Sequence, residues 1–197
     1  MIRRLQCIAV IITLFTIVTG CGTRMRTASI PGYAEKGIRL VAVMPVKAGG
    51  ADAQFTRLMR EKVLSTLYFK GYPKIPLEMI DEKLSKTYNQ VSSDGIDIPP
   101  QAVRSLLNVD AVLYVTVNEC KTDITWLYAS TIVSVDLELR NGKTGETIWK
   151  NRMRNAERNF DITRQRLEQT VCQVLEPAIQ DVVEKALKSL PDGQDTT

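Results

Sequence analysis

Reactive side chains are few in this chain, and their positions limit the chemistry open to it. There are four cysteines, Cys7, Cys21, Cys120 and Cys172, and no histidine among 197 residues. Without imidazole, Ser-His-Asp and Cys-His nucleophilic catalysis is excluded, and the commonest transition-metal ligand is missing. Zinc would have to rely on Cys120 and Cys172 with carboxylates, and no close cysteine pair exists to begin such a site, so no metal is expected. Gly49-Gly50 ahead of a helix could cradle a phosphate, but no Gly-Lys-Ser/Thr follows and Asp52 at the helix start would repel an anion. A plain turn is the simpler reading. Glu78, Asp81 and Glu82 fall on one exposed-looking helix and read as a solvated face rather than an acid/base pair. Neither a catalytic residue nor a cofactor is expected.

Cys21 is different, because its neighbours give it a task. Met1-Ile2-Arg3-Arg4 is a positive head, followed by a mostly apolar run from Cys7 to Val18 and then by Thr19-Gly20-Cys21-Gly22-Thr23-Arg24. A positive head, an apolar segment and a small-residue cleavage site describe an export signal, and the run is shorter than the ~20 residues a membrane span needs. Val18-Thr19-Gly20-Cys21 resembles the lipobox of bacterial lipoproteins. That resemblance implies cleavage after Gly20 and a lipid on the Cys21 sulfur. Residue 22 is glycine and not the aspartate that tends to retain similar proteins at the inner membrane, so an outer-membrane anchor facing the periplasm is expected.

Loss of residues 1–20 removes Arg3 and Arg4 from 26 basic residues and leaves two more than the 22 acidic ones. So small a surplus argues against nucleic acid as a partner. Residues 21–37 form a polar tether with a reach of about 20–25 Å. With 44% hydrophobic and 24% charged residues, a single folded unit over 38–190 can bury a core, and 191–197 form a tail with nothing apolar to pack.

Within that unit, Ile38 to Val46 reads as a strand buried on both faces and ended by Pro45. Asp52 caps a helix carrying Phe55, Leu58, Met59, Val63 and Leu67, with Gly71 as its stop. Tyr72 to Leu77 is expected to be the second strand of a β-α-β unit. Short helices are expected from Glu78 to Ser85 and after Pro99-Pro100. Asp110 to Val117 is a strand, and Val133, Val135, Leu137 and Leu139 alternate with polar residues in another. Asn141-Gly142-Lys143-Thr144-Gly145 then turns the chain into a partner strand from Glu146 to Arg154. A long helix from Thr163 to Leu190, with Pro177 inside it, closes the unit. The fold class is α/β, a mixed sheet packed against helices.

The order of these elements, with Val109-Asp110-Ala111-Val112-Leu113-Tyr114 and the run from Val135 to Gly145-Glu146-Thr147-Ile148-Trp149, resembles a bacterial lipoprotein family typified by a meningococcal vaccine candidate. Its layout is also similar to the TolB amino-terminal domain and to the periplasmic part of CsgG, over residues 38–155. The resemblance implies a role in envelope assembly or transport, not catalysis. CsgG proteins add membrane-spanning hairpins, and no such pair is expected here.

Two readings of function follow: a lipid-anchored adaptor in an envelope complex, self-associating and with an unknown protein partner, or a carrier of a small apolar ligand, which would need a dry cavity. Two further features bear on them. Cys120 and Cys172 either bridge in the oxidising periplasm or remain two separate thiols. Trp126, Leu127 and Tyr128 follow a polar link from Lys121 and form a candidate interaction surface, or else Trp126 caps the core.

Overall fold

The computed structural model describes Tyr33 and residues 37–49, 52–88, 98–125, 128–160 and 164–193; of residues 124, 125, 128, 129, 159, 160 and 164–174 only the backbone is described. The chain enters the fold at β1 (Val41–Val43), whose three residues are all buried. A two-residue strand, β2 (Lys47–Ala48), follows after Pro45 interrupts the ladder. Helix α1 (Ala53–Phe69) begins at Asp52, whose carboxylate accepts from the Gln54 amide at 3.3 Å. Phe55, Met59, Val63 and Leu67 recur every four residues on its buried face. At its end Gly71 takes φ +89°, a conformation that costs other residues a Cβ clash, and lets the Tyr72 amide reach back to the Leu67 carbonyl at 3.1 Å.

The next segment departs from the expected β-α-β unit. Tyr72 to Pro76 joins no ladder, because Pro73 and Pro76 lack the N–H groups that a strand inside a sheet must donate. The parallel partner of β1 is instead β3 (Ala111–Thr125), in the register Val41↔Ala111 to Val43↔Leu113, and β2 continues along it with Lys47↔Thr116. The crossover therefore contains α1, then α2 (Leu77–Thr87), then α3 (Pro100–Leu107), which starts with Pro100 in the first helical turn. It ends at Asn108 in the left-handed region, φ 55°.

From β3 the chain runs as an antiparallel meander through β4 (Tyr128–Asn141) and β5 (Thr147–Phe160), giving the order β1-β3-β4-β5. These strands are longer than expected. Pairing between β3 and β4 continues to Thr125↔Tyr128, and between β4 and β5 to Tyr128↔Phe160, so Lys121 to Thr125 is strand where a loop was expected. A bulge between Val117 and Glu119 shifts the alternation midway. Helix α4 (Arg164–Leu187) returns along the sheet.

The sheet is packed on both faces. Val41, Val43, Leu113, Val115, Val135, Leu137 and Leu139 face α1 and α4, which contribute Met59, Val63, Ile179, Val182 and Leu187. Ala42, Met44 and Val112 face the other way, against Ile80 and Leu84 of α2 and Val103 of α3. Each fully buried Leu or Ile stabilises by about 1.5–3 kcal/mol. The second helical layer covers only β1 and the start of β3, so the same face of β4 and β5 is left to polar side chains.

The chain end is more tightly held than its composition suggests. Pro191, Asp192 and Gly193, expected in a free tail, are pinned to the end of α1. The Gly193 amide donates to the Lys70 carbonyl at 2.7 Å, and Lys70 Nζ lies 2.6 Å from Asp192 Oδ1. A Cβ on Gly193 would come within 2.5 Å of the Gly71 carbonyl oxygen, so this approach admits glycine alone.

Candidate interaction surface

The long strands give the molecule two poles. At one lie the Asn141–Glu146 turn, the end of α1 and the end of α4; at the other lie Thr125, Tyr128 and Phe160. Fifteen residues of β3 separate them, or about 45 Å of strand.

The first pole is where residues preceding the sheet enter the domain. Tyr72 is 2% exposed and its hydroxyl donates to the Pro191 carbonyl at 2.8 Å. That donation uses its one proton, so Tyr33, 2.6 Å away, is the donor of the Tyr33–Tyr72 hydrogen bond. Burial pushes both phenols above their ordinary range, because a phenolate here would lose its water. Tyr33, expected in the tether, is thus the first described contact of the chain with the folded body. Cys21 lies outside the described residues.

Between the poles, the open face of β4 and β5 carries a ladder of carboxylates and guanidinium groups. Asp136 accepts from Arg152 Nε and Nη2, both at 2.6 Å, and from Asn118 at 2.9 Å. Glu138 accepts from Arg140 at 2.9 and 3.1 Å and from the Thr147 hydroxyl at 2.6 Å. Arg154 reaches Glu119 at 3.1 Å. The Arg152 hydrogen bonds hold Asp136 below its ordinary carboxylate range, and those from Arg140 do the same for Glu138. Such a lattice positions strands and leaves both carboxylates ionised at neutral pH.

The sheet edges are treated differently. Arg60 of α1, 7% exposed, donates from Nε and Nη2 to the Val43 carbonyl at 3.2 and 2.9 Å. Its Nη1 contacts both oxygens of Asp81 on α2, at 2.7 and 2.8 Å. Arg60, Asp81, Arg57, Glu61 and Glu78 line a cleft of about 420 Å³ beside Pro45. Asp81 is therefore a structural partner of a buried cation and not simply part of a solvated face. On the far edge, β5 has no further strand beside it among the described residues, and Lys150, Arg152, Arg154, Ala156 and Arg158 are exposed in alternation.

The candidate residues of the second pole fall partly outside this description. Trp126 and Leu127 lie outside the described residues, and only the backbone of Tyr128 is described, as the first residue of β4. Cys120 is a free, exposed thiol in register with Val133, although enough protein surrounds its sulfur to push its pKa up. The side chain of Cys172 is not among those described. Among the described residues no helix is long and apolar enough to cross a membrane.

The family model described as "Putative lipoprotein GNA1162-like" matches residues 33–193. The chain belongs to this family. The GNA1162-like unit thus begins at Tyr33 and ends at Gly193, the two ends gathered around Tyr72. Among solved structures, it is similar to lipoprotein GNA1162 from Neisseria meningitidis, with 24% identity, a TM-score of 0.57, and coverage of 71% of this chain and 96% of that one. It is also similar to a PelC dodecamer from Paraburkholderia phytofirmans, with 13% identity, a TM-score of 0.51, and coverage of 79% and 90%. At these identities the likeness establishes a shared fold. No match occurs among curated proteins.

Proposed function

We propose that this GNA1162-like lipoprotein is exported, trimmed after Gly20, lipidated on Cys21 and held at the outer membrane facing the periplasm. There it acts as a non-catalytic adaptor that assembles with further copies of itself. The observation that carries this reading is the opposition of the poles: Tyr33 fixes the tether at one end, while the meander extends about 45 Å the other way, its β5 edge unpaired among the described residues. A strand whose outer N–H and C=O groups are unpaired is a template for another chain. The chain similar to this one in Paraburkholderia is a dodecamer, which supports self-association through the same fold.

A carrier of an apolar ligand is less well supported. The described cleft mixes Pro45, Val46 and Leu77 with Arg57, Arg60, Glu61, Glu78 and Asp81, so a greasy cargo there would cover charged side chains.

The test is site-specific photo-crosslinking in cells. A crosslinker replacing exposed Thr122 in the outer half of β3 should give a product of twice the chain mass, and one replacing Lys83 on α2 should not. Trp126→Ala should weaken the Thr122 product and leave thermal stability almost unchanged. A chain that stays monomeric in the envelope, or crosslinks only through α2, would sink the adaptor reading. Fatty-acid labelling that survives Cys21→Ala would remove the anchor separately.

A further inference from the structure

The largest exposed apolar groups among the described residues sit together, at the end of α1. Tyr68 is 52% exposed and Phe69 is 82% exposed. Their rings meet edge to face with centroids 5.9 Å apart, and Lys74 Nζ stands 4.6 Å above the centre of the Tyr68 ring. The fold does not require an aromatic at 69: Leu67 and Tyr72 fill the core on either side of the turn, and Phe69 points out of it. Polar residues would serve an exposed helix end better.

Position gives this patch a meaning. Tyr72, three residues after Phe69, is the residue that holds Tyr33. Eleven residues separate Cys21 from Tyr33, a chain of about 40 Å at full stretch and about 20 Å on average if flexible. Whatever Cys21 is attached to is therefore within easy reach of Phe69. The charges at the patch favour an anionic surface: Lys70 is neutralised by Asp192, while Lys74 beside Tyr68 is exposed.

We propose that Tyr68, Phe69 and Lys74 form a membrane-seating surface, which rests on the phospholipid interface that receives the Cys21 acyl chains. This rests on the lipidation of Cys21 proposed above. Aromatic rings settle at the level of lipid headgroups, and a lysine beside them can extend its stem over apolar surface while its ammonium reaches phosphate oxygens. Seated in this way, the domain is oriented rather than merely leashed, with its meander directed into the periplasm.

The experiment places a reporter in the patch. Phe69→Trp and, as a distal control, Lys121→Trp are prepared as lipidated full chains in vesicles of phosphatidylethanolamine and phosphatidylglycerol whose acyl chains carry bromine. Relative to the parent chain, tryptophan emission at position 69 should be quenched several-fold more than at position 121. The same variants carrying Cys21→Ser are titrated with these vesicles, and the mass of the lipidated chain is read independently. Quenching at 69 in the titration alongside an unlipidated Cys21 removes the anchor and leaves the surface standing. Equal quenching at both positions, or none at 69 in either arm, overturns the proposal. A blue shift at 69 that grows with protein concentration and ignores bromine places a second copy there, and also overturns it.

Discussion

The two edges of the sheet solve the same problem by different means. At β1 the edge is three residues long, buried, and its last carbonyl is taken by Arg60, itself held by Asp81. At β5 the edge runs for fourteen residues with exposed Lys150, Arg152, Arg154 and Arg158 along it, of which Arg152 and Arg154 are already paired with Asp136 and Glu119. A buried guanidinium closes an edge permanently, because no incoming strand can displace it without leaving a cation unpaired. Exposed arginines merely discourage approach, and a partner with carboxylates at the matching spacing can turn that discouragement into attraction. One edge is thus sealed by the fold itself, and the other has no strand beside it among the described residues.

The largest test of this contrast is Arg60→Leu. It strands the Val43 carbonyl and leaves Asp81 without its partner, and should cost about 3 kcal/mol, somewhat below a fully buried pair because Asp81 is half exposed. Arg158→Ala at the open edge should change stability by less than about 0.5 kcal/mol. Urea midpoints at constant slope decide between them, and equal losses would erase the distinction.

Next comes the tether pole, through its tyrosines. A phenol whose folded pKa is raised keeps its proton in the fold when the unfolded chain has lost it, so the contribution is complete below about pH 10 and falls as pH rises further. Tyr72→Phe should lower stability at neutral pH by about 1 kcal/mol and flatten the alkaline loss. Phenolate absorbance that rises fully at pH 10 without unfolding would contradict the buried pair.

The sign reverses on the open sheet face. Asp136 and Glu138 have lowered pKa values, so their contribution is present above about pH 4.5 and is lost as pH falls through the folded values. Asp136→Asn should reduce stability at pH 7 by under about 1 kcal/mol, since Arg152 is exposed, and should make the acid limb shallower. Unchanged acid unfolding in that variant would show the ladder to be ornamental.

The smallest effect concerns the thiols. Cys120 is in register with Val133 and, through it, with Asn155, whose side chain reaches Asp181 of α4 at 2.7 Å. Cys172 stands nine helical residues from Asp181, about 13 Å along the axis, more than a disulfide spans. Titration of the denatured, unreduced mature protein should find Cys120 and Cys172 both free, and a single loss of both would refute this.

What the sequence made legible follows from local chemistry. Asp52 and Gly71 marked both ends of α1, and the alternation from Val133 to Leu139 marked the inner half of β4, because caps and periodicity act within a few residues. The outer half of the meander carried no such mark: Lys121, Thr122 and Asp123 face Ser130, Thr131 and Ile132 with no apolar stripe to betray a strand. Tyr72 to Leu77 departs from expectation for the opposite reason, since its apolar content suggests a strand while Pro73 and Pro76 remove the donors. Arg60 with Asp81, and Tyr33 with Tyr72, join residues 21 and 39 apart, and no spacing rule connects them. The meander's tip was singled out by its aromatics, and its distance from the tether became visible only through the register.

The meeting of Tyr33, Tyr72 and Pro191 also decides how the domain bears load. Any pull on the chain ahead of Tyr33 meets the Tyr33–Tyr72 hydrogen bond before it reaches β1. The node passes it to the end of α1 through Tyr72 and to the chain terminus through Pro191, so two helices share the strain before the parallel ladder is pulled. Two hydroxyls are thus the first contacts to bear load, ahead of the hydrogen bonds between β1 and β3.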